Sequence, residues 1–290
     1  MSSDRECSQT AARLLAWFDE LPGTPPLRVT VAYSGGVDSA LVLAAAARAL
    51  GPSQVLAATA VSPSLPAGML EEAQRFADEL GVRHRPVATR EIELEGYTRN
   101  QHDRCYFCKA TLVDALTALL EDEPAATGRV ILTGTNASDV EAGWRPGIRA
   151  AAERGARTPL ADTGLAKPAV RALARHWQVP VWHRPANPCL ASRIAYGVPI
   201  SPARLARVDL AETGVRAALR EAGVASYDLR VRDLGDAVRV EVDAGAVAAA
   251  ARSTAVVHAV EAAGFDTPVS VAAFASGNLN AALSPSLRHA

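Results

Sequence analysis

The tightest constraint on the fold is a junction. The β-branched run Arg28-Val-Thr-Val-Ala-Tyr33 ends in Ser34-Gly35-Gly36, and an apolar run from Asp38 to Leu50, closed by Gly51, follows at once. Strand, glycine turn and helix in that order bring backbone N–H groups and a positive helix end to one point, the arrangement that receives an anion. Gly35 and Gly36 let the chain turn tightly, Val37 carries the turn into the helix, and Ser34 and Ser39 add hydroxyl donors. Asp38 is expected either to hold Mg²⁺ or to cap the helix. No Gly-Lys-Ser/Thr follows, so the loop is not a Walker A loop.

The alternation continues downstream. Strands are predicted at Gln54 to Val61, Val82 to Val87 and Val130 to Gly134, and helices at Gly68 to Leu80 and Tyr106 to Leu120. Ahead of the first strand, Leu14, Leu15, Trp17 and Phe18 form a helical stripe that Pro22, Gly23, Pro25 and Pro26 end. Strands separated by helix-length segments imply an α/β fold with a doubly wound parallel sheet, whose ligands sit at the carboxyl ends of the strands. Gly134-Thr135-Asn136-Ala-Ser-Asp139 places a second glycine and short polar residues at such an end, either as an Asx turn that caps a helix or as lining of the site.

Beyond Trp182 the pattern changes. A proline-rich stretch around Pro188-Cys189 leads into a helix at Ser201 to Glu221, strands at Tyr227 to Arg232 and Ala237 to Val242, a helix at Ala244 to Ala263 and a last strand at Pro268 to Ala272. This reads as a smaller C-terminal α+β domain, residues 183–290, after a nucleotide-binding domain of residues 1–182. With 290 residues the chain is long enough for both.

Lys plus Arg (30) almost balance Asp plus Glu (31), which argues against a polynucleotide or anionic membrane partner. The polar start, with Asp4, Arg5 and Glu6, lacks the layout of a signal peptide, and no apolar run reaches spanning length, so a cytoplasmic location is expected. Four cysteines are too few for a disulfide scaffold. Arg104-Cys105-Tyr-Phe-Cys108-Lys109 opens a helix, where thiols are readily ionised, Cys189 lies in the proline-rich stretch, and Cys7 falls in a terminus expected to be mobile. Three cysteines suit an iron–sulfur cluster with one open iron; buried helix positions for Cys105 and Cys108 are the plainer alternative.

Ser34-Gly-Gly-Val-Asp-Ser39 resembles the PP-loop of ATP pyrophosphatases, although Ala40 stands where many members carry Ser or Thr. Together with Arg104-Cys-Tyr-Phe-Cys-Lys109, Gly134 to Asp139, Arg145-Pro-Gly147, Pro188-Cys-Leu-Ala-Ser-Arg193, Glu212, Arg230-Val-Arg232 and Gly277-Asn-Leu-Asn280, the order of motifs looks like that of LarE-type ATP-dependent sulfur transferases. The resemblance implies an adenine nucleotide alpha hydrolase-like fold and an ATP- and Mg²⁺-using enzyme. Such an enzyme adenylylates a carboxylate of a pyridinium biscarboxylate mononucleotide, releases pyrophosphate and delivers sulfur. It implies nucleotide contacts at Ser34 to Ser39 and at Gly134, Thr135, Asn136 and Asp139. Sulfur comes either from Cys189 itself or from a [4Fe-4S] cluster on Cys105, Cys108 and Cys189, and the presence of the cysteine pair favours the cluster. A small nucleotide substrate and a homo-oligomer are expected.

Arg193, Arg230 and Arg232 are candidate clamps for the substrate's phosphate and carboxylate, because guanidinium grips such anions in a fork. Residues 230 and 232 share one face of a strand, and Glu212 on the preceding helix is placed to orient them or hold a metal. Rival readings are a tRNA thiolase, an amidating ligase and a nucleotide-sensing binding protein with a structural metal. The first lacks a basic surface, the second an ammonia source, and the third has no need of Cys189.

Overall fold

A computed structural model of the chain describes residues 2–21, 27–121, 130–143, 145–185 and 187–275. In chain order the helices are α1 (Ser2–Ala16), α2 (Val37–Leu50), α3 (Met69–Glu79), α4 (Glu95–Thr98), α5 (Arg104–Glu121), α6 (Ala137–Glu141), α7 (Pro146–Glu153), α8 (Pro159–Asp162), α9 (Lys167–His176), α10 (Pro202–Glu221), α11 (Val247–Arg252) and α12 (Thr254–Ala262). The strands are β1 (Val29–Ala32), β2 (Val55–Val61), β3 (Arg83–Ala88), β4 (Val130–Leu132), β5 (Leu229–Asp233), β6 (Val238–Val242) and β7 (Val269–Ala273). They form two compact units. The first comprises Met1–Ser62, Gly68–Glu91 and Cys105–Ala186; the second comprises Pro63–Ala67, Ile92–Arg104 and Asn187–Ala290. Nothing in the hydropathy pattern marks the two short excursions that join the second unit.

The first unit is built on a parallel sheet in the order β3-β2-β1-β4. Helices cover both faces, so β1 is buried along its whole length and carries no polar alternation. One core gathers Leu14, Phe18, Val31, Leu41, Leu43 and Leu173, and a second gathers Val113, Leu116, Ile131 and Ala151. The chain runs from β1 outward through β2 and β3 and then returns to β4 on the other side of β1. The order therefore reverses between β1 and β4, and their carboxyl ends open a crevice of the kind that receives ligands in doubly wound sheets.

In the second unit β5 pairs antiparallel with β6, and β6 pairs parallel with β7. Helix α10 packs on β5 and α12, where a Cβ on Gly214 would stand 3.1 Å from the Ala259 Cβ. The excursion residues tie down the stretch that carries Cys189. Ser64 O accepts from Leu190 N at 2.8 Å, and the Asn100 amide nitrogen donates to the carbonyls of Ala195 and Val198, both at 2.8 Å.

Three local expectations are corrected. Cys7, expected in a mobile terminus, lies inside α1. Helix α1 gives way to a 3₁₀ turn at Trp17–Glu20, ahead of Pro22 to Pro26, which lie outside the described residues. The single helix expected over Ala244 to Ala263 breaks at Ser253, which leaves the helical region (φ −85°, ψ 109°) and accepts from Val256 N at 3.3 Å. A serine hydroxyl that can bond the backbone locally ends one helix and caps the next. Gly277 to Asn280 also lie outside the described residues. Among the described residues no helix is long and apolar enough to cross a membrane.

Candidate active site

At the end of β1 the chain passes through Tyr33, Ser34 and Gly35, which adopts φ +75°, a region that favours glycine. The turn is locked from inside by Ser39. Its hydroxyl donates to Gly36 O at 3.1 Å and accepts from Ser34 N at 3.2 Å, with Ser34 Oγ also at 3.2 Å. Ser34 and Gly36 are exposed, whereas Val37, Ser39 and Ala40 are buried, so Val37 offers the loop only its backbone. Burial pushes the Tyr33 phenol far above its ordinary pKa, which leaves it a neutral wall beside Phe76, 6.1 Å away between ring centres.

Asp38 was expected to hold a metal or cap α2. Gly36 is the N-cap, and no side chain caps it. The Asp38 carboxylate instead accepts from the Asn136 amide at 3.0 Å and from Lys167 Nζ in a short ion pair. Asn136 also caps α6: its Oδ1 accepts from Asp139 N at 3.1 Å while Asp139 Oδ2 accepts from Asn136 N at 3.3 Å. The Asx turn and the lining of the crevice are thus the same residue, its oxygen turned to the helix and its nitrogen to Asp38. Asp139 supports Asn136 and stands 3.6 Å from Arg145, which begins α7. Thr135 pairs with the Thr133 hydroxyl at 3.3 Å.

Gly134 explains why the two loops meet. A Cβ there would lie 2.6 Å from Ser39 N and 2.9 Å from Ser39 Cα, so only glycine lets the end of β4 lie against the start of α2. Lys167 escaped sequence reasoning. It starts α9, its N–H donates to Ser138 Oγ at 3.1 Å, and its ammonium is about one-third exposed. A signal was available: of 30 basic residues only Lys109 and Lys167 are lysines.

None of the four cysteines is in a disulfide. Cys105 is exposed and Cys108 half-buried in the first turn of α5, three residues apart and hence on one helix face, which removes the alternative that both are buried core residues. Cys189, half-buried, is the N-cap of the 3₁₀ turn Leu190–Arg193, and its carbonyl accepts from Ser192 N at 2.9 Å. Arg104, the residue before Cys105, donates to Ala191 O at 2.9 Å and to Asn100 Oδ1 at 2.6 Å. Cys105 and Cys108 belong to the first unit and Cys189 to the second. Among the described residues no group of three His, Cys, Asp or Glu side chains is gathered as a metal site.

The arginines depart furthest from expectation. Arg193 is fully buried, and every nitrogen of its guanidinium is occupied. Nε and Nη2 meet Glu212 at 2.9 and 3.2 Å, Nη2 meets Asn187 Oδ1 at 2.7 Å, and Nη1 donates to Pro188 O, to Cys189 O at 3.2 Å and to Ser192 Oγ. Such a group holds the Cys189 turn and has no fork left for an anion. Glu212 is buried too, and it accepts from Val231 N at 3.1 Å; it orients Arg193, not the strand arginines. Arg232 is held by Glu241 at 2.9 and 2.8 Å and donates to Ser192 O at 2.9 Å. Arg230 lies over the Phe274 ring at 5.5 Å, and its pKa is pushed down to about 10, first by burial and then by Arg193.

The sequence matches the NAD synthase family over residues 20–185, more than half of the chain. It is 42% identical over 216 residues to the uncharacterized protein slr1717 of Synechocystis, covering 74% of this chain and 76% of that one. It is 31% identical over 215 residues to the pyridinium-3,5-bisthiocarboxylic acid mononucleotide synthase of Lactiplantibacillus plantarum, covering 74% of each. An NH₃-dependent NAD⁺ synthetase of Chlorobaculum tepidum is 28% identical over 153 residues, 52% of this chain and 53% of its own. The loop, the sheet order and these relatives together establish that the chain belongs to the PP-loop family and, within it, to the LarE-type ATP-dependent sulfur transferases.

Proposed function

We propose that the protein adenylylates a ring carboxylate of pyridinium biscarboxylate mononucleotide and converts it to a thiocarboxylate. The carrying observation is the Asp38–Lys167–Asn136 cluster beside the Ser34–Ser39 loop, a set that can trade its internal ion pair for phosphate and metal. The substrate oxygen attacks the α-phosphorus of ATP and pyrophosphate leaves, which turns a poor acyl donor into a mixed anhydride. Sulfur then attacks the acyl carbon and AMP departs. Loop N–H groups and Lys167 stabilise the departing pyrophosphate, and Asn136 fixes the Asp38 carboxylate. Asp38 is the residue that would hold Mg²⁺, which would supply neutralisation of phosphate charge.

The cysteine set supports a reading of the sulfur source. Three thiols outside any disulfide, two of them on one face of a helix start, are the residues that would hold a [4Fe-4S] cluster, Cys105, Cys108 and Cys189, and such a cluster would supply a replaceable sulfide. The chain's own contribution is the Cys189 turn, which Arg193, Ser64 and Arg104 hold from three sides. Arg230 would supply positive charge for the acceptor's anionic groups, while Arg232, paired with Glu241, and Arg193, paired with Glu212, stand as its neighbours in place of clamps. A homo-oligomer in the cytoplasm belongs to this reading.

The test is the iron and acid-labile sulfide content of anaerobically purified protein, with turnover counted as AMP and thiocarboxylate formed. The expected result is a brown protein that turns over repeatedly with added sulfide and loses its iron in Cys105→Ala, Cys108→Ala and Cys189→Ala, while Cys7→Ala is unaffected. Colourless protein that acts once and loses the mass of hydrogen sulfide at Cys189 would assign the sulfur to that side chain. Formation of ADP and phosphate would overturn adenylylation itself.

A further inference from the structure

Behind the phosphate loop a chain of polar side chains runs from its first peptide to the surface. Thr59 Oγ1 donates to Tyr33 O at 2.7 Å and contacts His84 Nε2 at 2.8 Å; His84 Nδ1 contacts Gln74 Oε1 at 2.8 Å, and Gln74 Nε2 donates to Asp78 Oδ1 at 2.7 Å. Thr59 and His84 sit on neighbouring strands β2 and β3, with Gln74 and Asp78 on α3 above them. Thr59, Tyr33 and His84 are buried, and Asp78 is exposed. The Tyr33 carbonyl and the Ser34 N–H belong to one peptide plane. That plane is pinned at both ends, by Thr59 on the carbonyl and by Ser39 Oγ on the N–H at 3.2 Å.

Counting protons settles the roles. A carbonyl only accepts, so the single Thr59 hydroxyl proton points to Tyr33 O, and the contact with His84 needs a proton on Nε2. A carboxylate only accepts, so the Gln74 amide turns its nitrogen to Asp78 and its oxygen to His84, which needs a proton on Nδ1. All contacts stand together only on an imidazolium. Burial pushes the His84 pKa below its ordinary value, and Asp78 opposes that shift. When the ring is neutral one bond must be given up, and the inexpensive place is the outer end, where Gln74 can flip and Asp78 can turn to water. Losing the Thr59–Tyr33 bond would strand a buried carbonyl. Asp78 is the charge that acts on the ring among the described residues of this chain of contacts, and Arg83 and Arg85 flank His84 as exposed residues of β3.

We propose that His84 is a positioning residue for the ATP site. Its Nε2–H, kept in both the neutral and the protonated ring, fixes the Thr59 hydroxyl on the Tyr33 carbonyl and so fixes the peptide that opens the phosphate loop. This inference rests on ATP binding at the loop and is independent of the sulfur source.

The direct test is nitrogen NMR of the unaltered protein labelled on its histidines, with the His84 signal assigned by its loss in His84→Gln. The expected neutral form carries its proton on Nε2; a neutral ring protonated on Nδ1 overturns the proposal. The second arm measures the Kd of Mg²⁺ with a non-hydrolysable ATP analogue. His84→Met and Thr59→Val should each weaken it by about three- to tenfold, the range of one net hydrogen bond. His84→Gln, which restores a donor at the Nε2 position, should recover affinity to within about twofold, as should Thr59→Ser. The double variant Thr59→Val, His84→Met should bind no worse than Thr59→Val alone. Wild-type affinity should stay level as pH crosses the His84 titration. A fall with rising pH, additive single effects or no rescue by Gln would each overturn the proposal. If His84→Met fails to fold, the tautomer and the Thr59 pair decide it.

Discussion

In the first unit the candidate site residues stand at a crevice mouth: Ser34 and Gly36 are exposed, and the side chains of Lys167 and Asp38 are 34% and 23% exposed. In the second unit Arg193, Glu212, Arg230, Arg232 and Glu241 are all buried, with Arg193 and Glu241 at 0%. The first unit keeps its charges in a pair that ligand can replace, whereas most of the second unit's charges already have buried partners. The same residue types therefore carry different risks. Altering the first set should cost binding with little change in stability, and removing a member of a buried pair in the second should cost the fold before it costs activity.

The strongest way to break this contrast is to remove one member of a buried pair. Glu241→Ala leaves the Arg232 guanidinium uncompensated in the interior and should destabilise the protein by about 3–5 kcal/mol in urea unfolding. A loss below about 1 kcal/mol would show that water reaches the pair. The matching change in the first unit is Lys167→Met. It should weaken ATP by about 1.5–3 kcal/mol, the worth of a charge-assisted bond, while unfolding shifts by no more than about 0.5 kcal/mol. A stability loss as large as that of Glu241→Ala would erase the distinction between the units.

Gly134→Ala sharpens the comparison from the side of backbone geometry. The added methyl cannot fit beside Ser39 N, so the ends of β4 and α2 must part, at about 1–3 kcal/mol of stability and with loss of ATP-dependent turnover. The smallest effect is expected at Arg230, where burial and the charges of Arg193 and Arg232 outweigh those of Glu212 and Asp228. Arg230→Met should leave stability unchanged or raise it by about 1 kcal/mol while weakening the acceptor nucleotide. The pH sign agrees. With the folded pKa lowered to about 10, the unfolded chain holds more protons above that pH, so the Arg230 cost is fully present at neutral pH and is relieved as pH rises past about 10. Unfolding curves of both proteins from pH 7 to 10.5 check this.

Much of the first unit could be read from the residues because its signals are local. β-branched runs, glycine closures at Gly51 and Gly81 and the motif at Ser34 each describe a few neighbours, and the parallel sheet follows from their alternation. What escaped depends on contacts between distant segments. Asp38 meets Lys167 129 residues away, and Arg193 meets Glu212 after a return through α10. An arginine bound for the interior and one bound for a ligand look alike in a sequence, since the difference lies in who supplies the carboxylate. The break at Ser253 was missed for the converse reason: alanine-rich periodicity hides a single hydroxyl that caps a helix.

Arginine elsewhere carries the positive charge of this chain, so the Lys167 ammonium beside Asp38 has one side-chain counterpart, Lys109. An acylating reagent that reacts with primary amines therefore has two side-chain addresses and the chain's α-amino group. Nucleophilicity at one of them is set by whether its ammonium is held by a carboxylate, by phosphate or by water. The rate of acylation at Lys167, followed by peptide mass against Lys109 as internal reference, becomes an optical-label-free reporter of nucleotide occupancy in the native protein.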